Sequence, residues 1–283
     1  MKMNKVKIIA EIGANHNGDM SLAKEMIHAA SENGADFAKF QSWQASKIPP
    51  GPWDTPEPFF NFKNKRDFYG KAQLTNEQHY ELIEECKKRN INFLTTCFDR
   101  DRANFLSTLG MNTIKIASCD ATSNKMIREL ANNFETLICS TGMTEMSEIN
   151  ALDSLLSSTG KDYVVMHCVS MYPTPVEKIG LKRFFQIRDA LSNGQFGISD
   201  HSLGSFFPKF AISHGATWVE KHFTTDRSIP GPDNHMSINP EELQEIRSFA
   251  NMHSMLGSNA EDLVYEEERE LRKIIQHRFG DNS

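Results

Sequence analysis

Eight short apolar segments, separated by stretches of helical periodicity and nearly all ending in polar residues, constrain this 283-residue chain more than anything else in it. They read as strands over residues 6–12, 36–41, 91–97, 113–118, 136–141, 163–169, 195–200 and 217–224. Their interiors are mostly Ile, Val, Leu and Phe, as expected of strands covered on both faces. Helices are predicted over 21–33, 75–88, 99–109, 124–132, 147–157 and 181–191, with another between the last two strands. Thr75 with Gln78 makes a capping-box start, and Asn239 before Pro240, Glu241 and Glu242 marks a further helix N-terminus. The alternation predicts an α/β protein, a closed parallel (β/α)8 TIM barrel, which typically takes about 250 residues. An open doubly wound sheet is the alternative, weakened by the lack of a GxGxxG or P-loop after the first strand.

The strand ends support closure independently. Glu11, Lys39 and Gln41, Thr95 and Thr96, Lys115 and Ser118, Ser140 and Thr141, His167, Asp200 and His201, and Glu220 and His222 all stand at one end of their segments. In a barrel those ends meet on one rim, where this fold places its chemistry. The stretch from Gly197 to Asp233 delivers His201 and His222 to adjacent strand ends. Alternation there puts Glu220 and His222 on one face and Lys221 on the other. Two such imidazoles, with Asp200 beside them, start a divalent metal site; the alternative is two histidines that cap strands through hydrogen bonds.

The remaining rim residues divide in two. Lys39 and Lys115 with Thr96, Ser118, Ser140 and Thr141 form a cationic, hydroxyl-rich arc suited to a phosphate or carboxylate. Either lysine would otherwise pair with a neighbouring rim acid. Thr141-Gly142 could add backbone N–H groups at a helix start. The opposite arc carries the two histidines with Glu11, Asp120, Asp200 and Asp233, a setting for a metal and a polyhydroxylated substrate. Two reactants are implied, one phosphorylated and one neutral. No Ser or Cys lies in a nucleophile elbow.

Net charge is −6 and no basic block or aromatic-interleaved basic stripe occurs, which argues against nucleic acid. The N-terminus is charged too soon for a signal peptide and no 18-residue apolar run exists, so a soluble, cytoplasmic protein without membrane attachment is expected. Five cysteines without CxxC spacing fit reduced thiols, and Cys97, Cys119, Cys139 and Cys168 serve as small strand fillers. Residues 46–71 hold five prolines and read as a long irregular, functional loop.

Ala10-Glu11-Ile12-Gly13-Ala14-Asn15-His16-Asn17-Gly18, Lys39-Phe40-Gln41, Ser140-Thr141-Gly142-Met143, His167-Cys168, Tyr172-Pro173-Thr174-Pro175, Ser199-Asp200-His201, Glu220-Lys221-His222-Phe223-Thr224 and Pro230-Gly231-Pro232-Asp233 occur in this order. Together they resemble the N-acetylneuraminate (sialic acid, nonulosonic acid) synthase family over about residues 5–250. The resemblance implies a TIM-barrel transferase that condenses phosphoenolpyruvate with an N-acylated hexose aldehyde, N-acetylmannosamine or a related amino sugar, giving a nine-carbon 2-keto acid and phosphate. It implies a divalent cation on His201 and His222, Mn²⁺ first and Mg²⁺ or Co²⁺ as substitutes. Lys39, Thr96, Lys115, Ser118, Ser140 and Ser199 would hold phosphoenolpyruvate. Gln41, Tyr172 and Asp233, with Glu11, would orient the sugar, and Glu11, Asp120, His201 and His222 make up the catalytic set.

Three departures from the family pattern stand out. Asp120 replaces the usual Glu, retracting a carboxylate by about 1.5 Å, a misplacement of a size that can cost roughly 10²-fold. Cys97 stands where proline is usual. The chain is expected to divide into a synthase barrel over 1–257 and a helix and tail over 258–283, with the helix over 260–278, and no antifreeze-like (SAF) domain. A separate lid or SAF-containing chain, or the loop over 46–71, would then cover the site, and the resemblance implies a homodimer. The rival readings are a non-catalytic sugar- or phosphoenolpyruvate-binding barrel that assists a partner synthase, and the same chemistry on another aldose. A phosphorylated acceptor would need a basic cluster such as Lys63, Lys65, Arg66 and Lys71.

Overall fold

The computed structural model of the chain describes residues 5–55, 59–256 and 264–276. Eight strands, β1 (Lys7–Gly13), β2 (Phe37–Ser42), β3 (Asn92–Cys97), β4 (Thr113–Ile116), β5 (Thr136–Ser140), β6 (Asp162–Cys168), β7 (Gln195–Asp200) and β8 (Trp218–His222), close into a barrel in sequence order. Every neighbouring pair is parallel, including β8 with β1. Ten helices run from α1 to α10 among the described residues: Met20–Glu32, Lys65–Ala72, Asn76–Lys88, Arg100–Ser107, Asn124–Asn133, Met146–Ser157, Leu181–Ala190, Phe206–Ser213, Pro240–Leu256 and Glu266–Ile275.

The alternation of side chains along each strand builds two concentric cores. Outward positions pack with the helices: Ile8, Ala10 and Ile12 of β1 and Val219 of β8 join Met26, Leu130, Phe184 and Leu243 in one large apolar shell. Inward positions at the bottom of the barrel, Ile9, Phe37, Leu94, Ile138, Val164, Met166 and Trp218, form a separate apolar plug. Two residues further along the same strands come Glu11, Lys39, Thr96, Ser140, Cys168 and Glu220, all buried. A charged layer therefore rests directly on the plug.

Helix starts follow the predicted signals. Thr75 and Gln78 exchange backbone and side-chain hydrogen bonds at the start of α3 (2.8 and 3.2 Å), and Asn239 and Glu242 do the same at α9 (3.0 and 3.1 Å). Three expectations need correction. Residues 46–71 are not structureless: α2 occupies its end, capped by Asn64 accepting from the Asp67 N–H at 2.8 Å and anchored by buried Phe68. Such a short polar helix has too little periodicity to announce itself. β4 stops at Ile116, and Ser118–Asp120 form a tight 3₁₀ turn. The helix predicted over 260–278 is described over Glu266–Ile275 alone (α10), exposed throughout, with Tyr265 and Gln276 as its caps; residues 257–263 and 277–283, and with them the boundary at 257/258, lie outside the described residues, as do Pro56 and Pro58. No described helix is long and apolar enough to cross a membrane.

Candidate active site

At the C-terminal mouth of the barrel is a cavity of about 290 Å³, lined by Glu11, Lys39, Gln41, Thr96, Lys115, Ser118, Ser140, Tyr172, Ser199, His201 and His222, among others. Its floor is a ring of charge. Lys39 Nζ lies 2.7 Å from Glu11 Oε2 and 3.6 Å from Glu220 Oε1, and donates to Thr96 Oγ1 at 3.0 Å. Lys115 Nζ lies 3.4 Å from Glu220 Oε1 and donates to Ser140 Oγ at 2.6 Å. Ser199 Oγ donates to Glu220 Oε1 at 2.9 Å, and Gln41 Nε2 to Glu11 Oε1 at 2.5 Å. Both lysines are thus ion-paired, and Glu11 belongs to the lysine arc rather than the opposite one.

Burial acts on these groups unequally. It lifts the Glu11 carboxyl above its ordinary range, and Lys39 only partly offsets that. Burial pushes Glu220 the same way, but Lys115 and Lys39 outweigh it and hold the carboxylate below its ordinary range. For Lys39 burial opposes the charge, yet Glu11 and Glu220 prevail and keep it protonated. Two glutamates in one ring are pushed apart in proton affinity, the arrangement that lets one carry a proton while the other stays charged.

Above the ring stand the histidines, their ring centroids 5.4 Å apart. The Nδ1 of His201 is 2.8 Å from the Val169 carbonyl, and Tyr172 packs on its ring at 4.1 Å. Burial, then His201, holds the His222 imidazole well below its ordinary pKa. His222 Nδ1 is buried without a hydrogen-bond partner, 3.7 Å from Asp233 Oδ2. A neutral imidazole with an orphaned nitrogen, beside another whose tautomer is fixed by a carbonyl, fits a divalent cation. Among the described residues no third protein donor completes a cluster, so a cation here would have these two side chains as an open anchor, not a closed cage.

Several expected rim residues point elsewhere. Asp200 faces the outer shell, where Lys221 Nζ donates to it at 3.0 Å and the Ser202 hydroxyl at 2.9 Å; it is no metal neighbour. Thr95 and Thr141 bond to the Phe40 and Met166 carbonyls, and His167 Nε2 bonds to Ile179 O at 2.8 Å. Strand ends alternate like strand middles, so about half of any list of polar termini must face the helices. Asp120 does not line the cavity. Its carboxyl, raised by burial, sits 3.4 Å from Cys119 Sγ and 3.5 Å from Ser123 Oγ. Asp233 reaches the site only through its approach to His222. Gly142 gives its N–H to Ser118 Oγ at 2.9 Å, four residues before α6 begins.

The sequence left Glu220 without a role, although its alternation with His222 pointed into the barrel; it is the ring's central acceptor. Cys168 and Ser170 were likewise not placed in the cavity. They lie against Gly142, where an added Cβ would come within 2.2 Å of Ser170 Oγ and 3.0 Å of Ser118 Oγ. The Asn15-His16-Asn17 segment is a brace. Asn15 Nδ2 donates to Phe223 O and Ser237 Oγ, both at 2.9 Å, and Asn17 Nδ2 to Pro230 O at 2.6 Å. The loop after β1 is thereby tied to the loop that carries Asp233.

Comparison with known proteins adds the family and agrees with the fold. A model of the NeuB family matches residues 26–261. The chain is 36% identical to an N,N'-diacetyllegionaminic acid synthase of Legionella pneumophila, over 95% of this chain and 78% of that one. It is also 36% identical to the synthase of the same name in Campylobacter jejuni, over 86% and 75% respectively. A crystal structure of an N-acetylneuraminic acid (sialic acid) synthetase from Leptospira borgpetersenii in complex with citrate superposes with a TM-score of 0.83 at 29% identity, covering 96% of this chain and 91% of that one.

Proposed function

This chain belongs to the NeuB family, and from that premise we propose that it joins phosphoenolpyruvate to an N-acylated amino-sugar aldehyde, giving a nonulosonic acid and phosphate. The observation that carries the reading is the buried ring of two lysines and two glutamates directly beneath a pair of imidazoles, in one cavity.

Lys39 and Lys115, with the Thr96, Ser118, Ser140 and Ser199 hydroxyls, hold the phosphate and carboxylate of phosphoenolpyruvate. Gln41, Tyr172 and Asp233 orient the sugar above it, so that C3 faces the aldehyde carbon at bonding distance. His201 and His222 hold a divalent cation, Mn²⁺ or a substitute, which when bound supplies Lewis-acid polarisation at the aldehyde oxygen. The C3–aldehyde bond forms as the enol double bond opens, and water adds at C2. The phosphate ester then collapses with cleavage of its C–O bond, releasing phosphate. Glu11, which lines the cavity and whose carboxyl is pushed up by burial, takes and returns protons in these steps. The work is cytoplasmic, where phosphoenolpyruvate is made.

The test is phosphate release from phosphoenolpyruvate with Mn²⁺ and a panel of N-acyl mannosamines and diamino-dideoxy hexoses. Release should require sugar, vanish on chelation and return with Mn²⁺, and fall at least about 10²-fold in His222→Ala. Binding of phosphoenolpyruvate with no turnover on any sugar would replace this reading with a binding protein.

A further inference from the structure

A second cavity, of about 440 Å³, adjoins the first and shares Gln41, Phe98 and Cys119 with it. Its walls are Trp43, Trp53, Tyr69, Ile48, Pro49 and Phe98. The rings interlock edge to face: Trp43 with Tyr69 at 5.8 Å, Trp53 with Tyr69 at 6.2 Å, and Trp43 with Phe98 at 6.5 Å. Trp43 is further held by its Nε1–H donating to Tyr69 O at 3.1 Å. Trp53 and Phe98 nonetheless leave 36% and 38% of their surface open, an apolar lining that water covers poorly.

The cavity also lacks a free cation. Lys47 is paired with Asp101 at 2.8 Å, and Asp99 caps α4 through the Asp101 N–H at 2.9 Å. The basic residues that a phosphorylated acceptor would need are engaged or turned away. Arg66 bonds to Asp54 and to the Ala45 and Ile48 carbonyls, and Lys65 lies over the Phe59 ring. Lys63 and Lys71 line a different hollow.

We propose that the aromatic cavity receives an apolar substituent, an acyl or deoxy group, on the far end of an uncharged acceptor sugar whose aldehyde lies in the histidine cavity. The chain then selects neutral acylated or deoxygenated hexoses and rejects phosphorylated ones. This rests on the synthase reading above, because it assigns the other end of the sugar to that site.

The experiment compares three acceptors with the Mn²⁺-loaded enzyme at saturating phosphoenolpyruvate: N-acetylmannosamine, its 6-phosphate, and a 2,4-diacetamido-2,4,6-trideoxy hexose. The diacetamido sugar should lead in kcat/KM by about tenfold or more, with the phosphate ester last. Trp53→Ala should erase that lead through KM for the sugar and leave KM for phosphoenolpyruvate unchanged, and Trp53→Phe should restore most of it. Preference for the 6-phosphate, or equal loss on both neutral sugars in Trp53→Ala, would overturn the proposal.

Tryptophan fluorescence gives a readout without turnover, because two of the chain's three tryptophans line this cavity and Trp218 is in the apolar plug. Saturable quenching by the diacetamido sugar without phosphoenolpyruvate, weakened about tenfold in Trp53→Ala, is expected. Quenching with no phosphate release from any sugar would sink the synthase reading and keep the subsite. Turnover with neither quenching nor a selectivity change would sink the subsite alone.

Discussion

Glu220 illustrates how one residue couples stability to substrate binding. Its Oε1 faces Lys39, Lys115 and Ser199, while its Oε2 is buried without a hydrogen-bond partner. Glu220→Gln leaves the buried Lys115 ammonium without an ion-pair partner and Lys39 with Glu11 alone, which should cost about 3 kcal/mol. An anion arriving at the lysines would restore the lost compensation. Thermal melts should therefore show a larger rise on adding phosphoenolpyruvate in the variant than in the parent chain, and an equal rise would refute this account. Gly142→Ala tests the other wall. Its methyl would collide with Ser170 and Ser118, so KM for phosphoenolpyruvate should rise about tenfold or more while the sugar's KM stays put.

At the scale of elements, strand order, helix order and capping were open to inspection, because 3.6- and 2-residue periods and Thr75–Gln78 or Asn239–Glu242 pairs are local signals. What could not be read was direction. Asp200 and Ser199 are neighbours in one strand end, yet the first meets Lys221 outside the barrel and the second Glu220 inside. A polar strand end looks the same in sequence whether it serves the site or a buried ion pair. The lysines were readable either as anion holders or as partners of rim acids, and the fold pairs both with glutamates. α2 and the aromatic cavity it helps build were hidden for another reason: Trp43, Trp53, Tyr69 and Phe98 come from separate segments that only the closed barrel brings together.

The brace between the loops after β1 and β8 also belongs to this scale. Asn15→Ala strands the buried Phe223 carbonyl and removes a donor from the Ser237 hydroxyl, which keeps its own bond to Asp233 O, so a loss of about 1–3 kcal/mol is expected in urea unfolding. The loop carrying Asp233 should loosen as well. KM for the sugar should then rise while KM for phosphoenolpyruvate changes little, and parallel changes in both would contradict the assignment of Asp233 to the sugar.

Across the whole molecule, three histidines other than His201 and His222 tie stability to acidity. Burial lowers His16, His79 and His167 to about 4, against an ordinary value near 6.5. The unfolded chain takes up protons near 6.5 while the fold refuses them until about 4. Stability is therefore complete above 6.5 and falls as pH drops through that window, by up to about 3 kcal/mol per histidine. The melting temperature should fall steeply between pH 6.5 and 4.5, and His79→Phe should make the fall shallower. A flat profile would mean that these imidazoles meet solvent in the fold.

The ring at the barrel floor has a consequence for traffic through the site. Glu220 stays charged against the two lysines while Glu11 can carry a proton, so the cavity draws an anion from a distance less strongly than two bare lysines would. An entering phosphate must displace carboxylates already in contact with the ammonium groups, and a departing one lets them return. The floor behaves as an ion exchanger, swapping an internal anion for an external one at each turnover. Exchange of this kind leaves the net charge of the lysine pair's surroundings almost constant, which keeps product phosphate from being held as tightly as two bare lysines would hold it.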